Sequence, residues 1–324
     1  MSKVNYLVIG YGYWGPNVAR NIYKSKISNL KVVVDNNKKA IRKAINDNYS
    51  DNYIEKLDDL DEELLQEVDI IVITTPPKTH FQIIKRLYKY NKIFLSAKPM
   101  CTTIKELREL EKIIKENKIE IFIDNTYLYS NKVRAIKKIV NSNSFGEINY
   151  ISSVRSNLGI IQKDIDVIWD LAPHDLSIVT YITDNYPVSS KALSTNLLHN
   201  IKTQNNFAYV EFKYKKFNFY LNVNWLSPEK IRYMVFSGTK QTLVYDDASK
   251  TNSLKLYNQI IKKEGSSFLY KNNEGKSVKY IENEPLFDEI TELSEYVFNK
   301  SKKPVSTFEN SARNIITLSK LKLL

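Results

Sequence analysis

Three glycines stand close together near the start of this chain, in a protein that uses glycine sparingly. Gly10, Gly12 and Gly15 fall within the stretch GYGYWG, whereas the 324-residue sequence holds only 8 glycines. The stretch follows an apolar run, and Asp35 ends the next apolar run, about 20 residues further on. Glycines in this pattern give a tight turn, let a pyrophosphate reach backbone N–H groups and let the next helix pack closely on the strand. The pattern predicts a dinucleotide site.

The acid after the second apolar run bears on which dinucleotide is bound. A carboxylate at Asp35 accepts hydrogen bonds from the ribose hydroxyls of NAD and repels the 2′-phosphate of NADP. Lys38 and Lys39 lie close by in the sequence and keep NADP open as the less favoured alternative. Tyr13 and Trp14, which lie between the glycines, are further candidates for contact with the cofactor.

The elements that position these residues alternate between two kinds of pattern. Short apolar runs recur as Val4–Ile9, Leu30–Val34, Asp69–Thr74, Ile93–Leu95 and Ile119–Ile123. Between them the apolar residues have helical spacing, as in the 81–88 segment. Alternation of this kind predicts an α/β fold, a doubly wound parallel sheet over residues 1–125.

The second part of the chain, residues 126–324, has a different texture. Alternating segments, above all FNFYLNVNW, predict an α+β domain with a large, mostly antiparallel open sheet. Two helices are predicted near Phe287–Phe298 and Glu309–Leu321. The alternation points Phe217, Phe219, Leu221 and Val223 the same way. We expect this aromatic stripe to belong to a sheet face that is free to pair with another subunit, giving a homodimer or homotetramer.

Composition narrows the classes of partner. The formal net charge is +12, but the lysines are scattered among acids, as in KLDDLDEELLQE, and no long basic run occurs. This distribution argues against nucleic-acid binding and favours a positive field that attracts an anionic substrate. No apolar run approaches the roughly 18 residues that a membrane helix needs, and the single Cys101 excludes an internal disulfide. We expect a cytoplasmic protein, with no membrane contact and no metal site.

Four further stretches carry a family resemblance. They are TTPPKTH (74–80), AKPM (97–100), DNTYLYSNKVRAIKK (124–138) and SVRSNLGIIQKDIDVIWDLAPHDLSI (153–178). Together with GYGYWGPN, they make the chain resemble the Gfo/Idh/MocA family of NAD(P)-dependent sugar oxidoreductases over nearly its whole length. Within that family the chain is most similar to the branch that acts on nucleotide-linked sugars, such as UDP-N-acetylglucosamine 3-dehydrogenases.

The resemblance implies which side chains lie beside the cofactor. Besides the glycine stretch and Asp35, the implied cofactor residues are Thr75, Pro76, His80, Lys98 and Asn125. Several of them follow predicted strands, and open α/β sheets bind ligands at the carboxyl ends of their strands.

The resemblance also implies the catalytic residues. Lys98 would lie under the sugar, and Asp170 and His174 would come from the second domain. Oxidation of a secondary alcohol needs a base for the hydroxyl proton while hydride leaves to the nicotinamide. We expect His174 to be that base, Lys98 to polarise and orient the oxygen, and Asp170 to hold His174 or a sugar hydroxyl. Exchange of the roles of Lys98 and His174 stays open.

Substrate recognition is expected mainly in the second domain. The candidates there, beyond the catalytic residues, are Arg155, Asn157, Gln162, Lys230 and Arg232. Lys230 and Arg232 suit a substrate pyrophosphate, although a solvated charged face explains them equally well.

Two aromatic residues and one acid have open roles. Tyr127 or Trp225 could cover an apolar sugar or base face, Trp225 being alternatively part of the core or of an interface. Asp175 follows Pro173, where we expect a helix to begin, and so is expected to be structural. The remaining histidine, His199, has no context that indicates a role.

Two departures from the family pattern keep other functions open. Ala97 stands where the family usually has a glutamate before Lys-Pro, and Asn125 stands where the related branch often has a histidine. Both changes are compatible with a regulatory NAD-binding protein of little activity. An inositol or free-sugar dehydrogenase and a glycosidase that uses NAD transiently are further alternatives.

Overall fold

The computed structural model describes residues 3–159, 161–162, 165–198, 204–258, 260–271 and 274–323. His199 lies outside these residues. The chain divides into two compact units, the first made of residues 1–129 and 283–315, the second of residues 130–282 and 316–324.

The first unit is built on a six-stranded parallel sheet with the order β3-β2-β1-β4-β5-β6. Its strands are β1 Val4–Ile9, β2 Ser28–Val34, β3 Asn52–Ile54, β4 Ile70–Ile73, β5 Ile93–Ala97 and β6 Ile121–Asp124. Its helices are α1 Gly15–Lys24, α2 Lys38–Asp47, α3 Glu62–Glu67, α4 Pro77–Leu87, α5 Ile104–Asn117 and α8 Pro285–Phe298. The strand order reverses between β1 and β4, which is where such sheets bind ligands. The predicted doubly wound sheet is confirmed.

Local sequence explains why these helices begin where they do. The Asn37 side chain accepts the Lys39 N–H at 2.9 Å and caps α2. Thr103 and Glu106 form a capping box at the start of α5. Each of these contacts satisfies backbone donors that have no partner inside the helix.

Helix α8 is far from the first unit in sequence but belongs to its core. Leu286, Ile290 and Leu293 join the cluster of buried side chains that includes β1 and β2. The Tyr6 hydroxyl lies 2.6 Å from the Ser294 hydroxyl. The sequence-based boundary at 125/126 therefore differs from the structure, in which the break follows Tyr129 and the segment 283–315 returns to the first unit. Apolar burial of α8 is the physical reason.

The second unit contains a nine-stranded mixed sheet, mostly antiparallel, with the order β16-β13-β12-β11-β7-β10-β9-β8-β17. The strands are β7 Ile148–Ser156, β8 Ser189–Thr195, β9 Phe207–Lys213, β10 Asn218–Asn224, β11 Ile231–Gly238, β12 Thr242–Asp246, β13 Leu254–Tyr257, β16 Lys276–Ser277 and β17 Lys322–Leu323. A separate hairpin joins β14 Ile260–Glu264 and β15 Ser267–Lys271. The helices are α6 Asn131–Val140 and α7 Val167–Thr183, and α9 Phe308–Ser319 crosses the boundary between the units in sequence.

The structure corrects two expectations for this unit. The stripe of Phe217, Phe219, Leu221 and Val223 is buried within the chain, because α7 packs on the same side of β10. This covered face is therefore not free for another subunit. Helix α7 begins at Val167, capped by Asp166, so that Pro173 lies inside the helix and not at its start.

Candidate functional site

The glycine loop, residues 10–15, follows β1 and opens α1. Gly10 has φ +101°, and a Cβ there would lie 2.7 Å from the Thr75 nitrogen. A Cβ on Gly15 would lie 2.2 Å from the Gly10 carbonyl oxygen. By contrast, a Cβ on Gly12 would meet nothing within 4 Å among the described residues. Packing inside the protein therefore explains Gly10 and Gly15, whereas Gly12 leaves a cradle that a ligand backbone contact can use.

This difference gives a matched pair of substitutions. We expect Gly12→Ala to fold with an unchanged melting temperature but to weaken NAD binding by at least about tenfold, because its methyl group occupies the phosphate approach. Gly15→Ala should instead lower the stability of the protein by roughly 2 kcal/mol or more through the clash with the Gly10 carbonyl. Thermal unfolding and calorimetric titration with NAD measure both effects. Equal NAD affinity in Gly12→Ala and the parent would contradict the assignment.

Asp35 lies at the end of β2 with its carboxylate against the glycine loop. Its Oδ2 accepts the Tyr11 N–H at 2.6 Å, and its Oδ1 accepts the Asn37 N–H at 2.7 Å. Each carboxylate oxygen retains a second lone pair for a ribose hydroxyl. The nearby Lys38 forms an exposed ion pair with Glu55 at 4.0 Å. This arrangement fits the ribose of NAD.

The segment after β4 is tied to both of its neighbours. The Thr74 hydroxyl donates to the Gly10 carbonyl at 2.6 Å. His80 is buried, with Nδ1 2.8 Å from the Pro99 carbonyl oxygen and Nε2 2.6 Å from the Thr75 carbonyl oxygen. Burial lowers the pKa of His80, and the two carbonyl oxygens oppose that shift. His80 therefore lies between the carbonyl groups of Thr75 and Pro99, and the single N–H of the neutral imidazole donates to one of them.

Lys98 and the residues after β6 complete this edge of the first unit. Lys98 directly follows β5 and precedes Pro99, and β5 pairs with β6 so that Ala97 lies beside Asp124. Asn125 is buried, and its side-chain amide donates to the Ser311 hydroxyl at 3.2 Å. The glycine loop, Asp35, Thr75 and Lys98 thus follow neighbouring parallel strands, at their carboxyl ends. Of the other candidates, Tyr13 is exposed in the glycine loop, Pro76 precedes α4, and Tyr127 lies half-buried in a short 3-10 turn.

In the second unit, Asp170 and His174 are four residues apart on α7 and therefore share one face of the helix. The indole N–H of Trp225 donates to Oδ2 of Asp170 at 3.1 Å. Trp225 is only 1 % exposed. Its burial corrects the expectation that it could cover a sugar face, since its ring is inside the core and its N–H orients Asp170.

Arg155 is placed differently from a freely exposed substrate ligand. Its side chain is 4 % exposed and its Nε donates to Oδ2 of Asp175, which is also buried. The Ser153 hydroxyl donates to the other carboxylate oxygen at 2.7 Å. Asp175 is structural, as expected, but through this ion pair and not through a helix N-terminus. Loss of one member would leave a buried charge without its partner, which is strongly destabilising.

Cationic side chains lie together at the end of the large sheet where β7 ends and β11 begins. Arg232 pairs in register with Arg155, and its Nη1 lies 3.4 Å from Oδ2 of Asp247. The positive charge of Arg232, followed by partial burial, lowers the pKa of Lys230. At the same strand ends the Asn157 N–H donates to the Asn224 carbonyl at 3.3 Å, and Gln162 lies half-buried in the following loop. Lys230 and Arg232 form a cationic cluster suited to an anion, whereas the buried Arg155 is paired with Asp175.

Sequence reasoning missed the polar group behind the glycine loop. The Trp14 indole donates to Asp124, and the buried carboxyl of Glu289 lies beside the same Asp124. One signal was available, because Glu289 interrupts the apolar stripe of Leu286, Ile290 and Leu293 on α8. Its partner at the end of β6 could not be identified from spacing alone.

Two features of other functional classes are absent from the described part of the chain. None of its helices combines the length and apolar character that crossing a membrane requires. The same residues contain no group of three or more acidic, cysteine or histidine side chains arranged to hold a metal ion.

Comparison with known proteins points to one family. Residues 4–124 match the model of an oxidoreductase family with an NAD-binding Rossmann fold. An uncharacterised oxidoreductase of Streptococcus pneumoniae is 22 % identical over 273 residues, which cover 79 % of this chain and 72 % of the relative. The 2,7-anhydro-N-acetylneuraminate hydratase of Escherichia coli is 24 % identical over 79 % of this chain and 71 % of its own length.

A solved structure extends the similarity to both units. The UDP-N-acetylglucosamine 3-dehydrogenase of Acidithiobacillus ferrooxidans superposes with a TM-score of 0.79, covering 98 % of this chain and 96 % of that one. The sequences are 20 % identical. At that identity the likeness establishes a shared fold.

Proposed function

We propose that this chain, whose residues 4–124 match the model of the Gfo/Idh/MocA family of NAD-binding oxidoreductases, transfers a hydride between NAD and a secondary hydroxyl of a sugar. The proposed substrate is a nucleotide-linked sugar such as a UDP-N-acetylhexosamine, oxidised at C3, in a glycan-building reaction of the cytoplasm. NAD is preferred over NADP. One arrangement carries this assignment: the glycine loop, Asp35 and Lys98 all follow strands of one parallel sheet at its carboxyl edge.

The proposed hydride transfer needs a hydride acceptor, a base and a group that stabilises negative charge. Bound NAD would supply the hydride acceptor at its nicotinamide ring. His174 removes the hydroxyl proton as general base. Lys98 donates to the substrate oxygen while negative charge develops on it. Asp170, oriented by Trp225, fixes His174 or a neighbouring sugar hydroxyl.

The nucleotide part of the substrate is assigned to the cationic cluster. Lys230 and Arg232 raise the local positive potential, which the lowered pKa of Lys230 reflects. A diphosphate bridging a sugar and a nucleoside carries the negative charge that such a pair binds with strong hydrogen bonds. Asn157 and Gln162 contact sugar hydroxyls or an N-acetyl group, and Tyr127 covers an apolar face of the substrate.

The test of this function is NADH formation from NAD with a panel of UDP-sugars, free hexoses and inositols. Enzyme is used in amounts comparable to the substrate, because alcohol oxidation can stall at equilibrium. We expect a signal with a UDP-sugar and none with free polyols. A signal only with inositol or free sugars would move the protein to that class of dehydrogenase. Binding of NAD without any turnover would favour a regulatory role.

Removing the cationic cluster should weaken substrate binding without slowing the chemical step. We expect the Lys230→Met, Arg232→Met double variant to raise KM for the UDP-sugar by about 30-fold or more, because charged hydrogen bonds to phosphate are lost. The kcat at saturation should change by less than about threefold. Steady-state kinetics with the UDP-sugar separate the two constants. An unchanged KM would show that both residues belong to a solvated surface.

A second copy of the chain is the proposed partner. The outer face of the large sheet, opposite α7, carries the exposed aromatic residues Tyr150, Tyr209, Tyr220 and Tyr233. Lys191 and Glu211 lie side by side on this face, so that a copy related by a twofold axis can present each charge to its opposite. We expect light scattering to give a dimer or tetramer, and Tyr209→Glu to give monomers of unchanged circular dichroism. A monomeric parent protein would contradict the proposal.

A further inference from the structure

A cluster of polar side chains lies behind the glycine loop. At its centre is the carboxylate of Asp124, at the end of β6. The Trp14 indole N–H donates to its Oδ2. The Thr126 hydroxyl donates to its Oδ1 at 2.7 Å. Asp124 is 6 % exposed. Both carboxylate oxygens of Asp124 therefore accept a hydrogen bond from a neighbouring side chain.

The second carboxyl of this group, that of Glu289, is fully buried in α8. It lies within hydrogen-bonding reach of the Asp124 carboxylate, and the Ser306 hydroxyl lies 3.5 Å from its Oε1. Its Oε2 meets no donor among the described residues. Burial, followed by the negative charge of Asp124, raises the pKa of Glu289 well above its ordinary value. Glu289 therefore carries a proton and donates it to the Asp124 carboxylate.

We propose that the Asp124–Glu289 carboxyl pair positions the Trp14 indole and thereby holds the glycine loop in the conformation that receives NAD. Trp14 lies between Gly12 and Gly15, and its carbonyl accepts the N–H groups of Asn17 and Val18 at the start of α1. A fixed indole therefore fixes both the loop and the first turn of the helix. The loop and the first turn of α1 carry the backbone N–H groups that bind a pyrophosphate in sites of this kind.

The consequence for binding is one of pre-organisation. A loop already held in place pays less conformational entropy when its ligand binds. Asp124, which accepts the Trp14 indole N–H, and Glu289, which acts through Asp124, are therefore proposed as positioning residues. These contacts also connect the glycine loop to α8, although Glu289 follows Trp14 by 275 positions in the sequence.

The pair makes loop positioning depend on pH. The titratable groups near Glu289 include Asp124, Tyr6 and Tyr129, with Glu292 on its own helix near Tyr129. The folded protein keeps a proton on Glu289 that the unfolded chain releases near the ordinary carboxyl pKa. The stability it contributes is therefore complete at acidic pH and is lost as the pH rises through the raised value. Once both carboxyls are ionised they repel each other, and NAD affinity falls.

The test compares two replacements of Glu289 in the full chain. Glu289→Gln keeps a donor toward Asp124 but cannot ionise, whereas Glu289→Leu has a similar size and no donor. NAD dissociation constants are measured by calorimetry between pH 6 and 9. We expect Glu289→Gln to bind NAD within about twofold of the parent and to lose the alkaline decline. Glu289→Leu and Trp14→Phe should each bind about tenfold more weakly at pH 7.

Either of two results would overturn the proposal. One is NAD affinity in Trp14→Phe equal to that of the parent, and the other is equal weakening by Glu289→Gln and Glu289→Leu. Should Glu289→Leu fail to fold, the Trp14 indole N–H resonance, assigned by its loss in Trp14→Phe, decides the matter. It should shift with pH in the parent and stay constant in Glu289→Gln. A Trp14 indole resonance that does not shift with pH in the parent would refute the proposed role of the Asp124–Glu289 pair.

Discussion

Replacing Lys98 by methionine should lower kcat for sugar oxidation by about 1000-fold, with a much smaller loss of NAD affinity. Methionine matches the length of the lysine side chain and removes the ammonium that stabilises developing negative charge on the substrate oxygen. Loss of one such donor costs about 10²–10³ in rate, and Lys98 also orients the hydroxyl. Single-turnover rates of NADH formation, together with NAD titration, measure the two effects separately.

The matched control for this variant is Lys112→Met. Lys112 is an exposed lysine of α5 in the same unit, and its ion pair with Glu116 spans 3.9 Å at the surface. Surface pairs of this kind contribute little. The control should therefore keep both rate and affinity. If Lys98→Met retained more than about a tenth of the parent rate, the electrostatic role would be refuted.

The second large effect is expected from His174→Gln, with a kcat loss of about 10²–10⁴. Glutamine preserves hydrogen bonding but cannot accept the hydroxyl proton. The parent rate should fall toward acidic pH as the imidazole becomes protonated, and this acidic limb should disappear in the variant. Initial rates from pH 5 to 9 with saturating NAD and sugar measure both the loss and the profile.

Two results would count against His174 as the base. An acidic limb that persists in His174→Gln would indicate that another group, Lys98 foremost, takes the proton. A loss of rate without any change in the pH profile would reduce His174 to a positioning role. Asp170→Asn is the companion variant, because it leaves the imidazole in place and removes only the carboxylate that Trp225 orients.

Local patterns were enough to predict the first part of the fold and the strand ends that carry the candidate site residues. The glycine loop and Asp35 depend on residues within one strand-helix-strand unit, so that spacing alone identifies them. The same applies to the strand ends that carry Thr75 and Lys98. The doubly wound sheet and the mixed, mostly antiparallel second sheet are both confirmed.

Long-range packing explains what could not be predicted. The return of α8 to the first unit depends on contacts such as that between Tyr6 and Ser294, which are remote in sequence. Alternation in β10 shows that the strand has two distinct faces, but both carry aromatic residues, and only the position of α7 reveals which one is covered. The burial of Arg155 against Asp175 likewise requires the helix to be placed on the sheet.

If this protein oxidises a nucleotide-linked sugar, the hydrogen at the reacting carbon passes directly to NAD, and isotope transfer measures this step. UDP-N-acetylglucosamine deuterated at C3 is mixed with NAD and an excess of enzyme, and the dinucleotide is analysed by mass spectrometry. We expect one deuterium on the reduced nicotinamide, and none with Lys98→Met. A dinucleotide that stays oxidised although both ligands bind, or one that is reduced without deuterium, would contradict the proposed transfer.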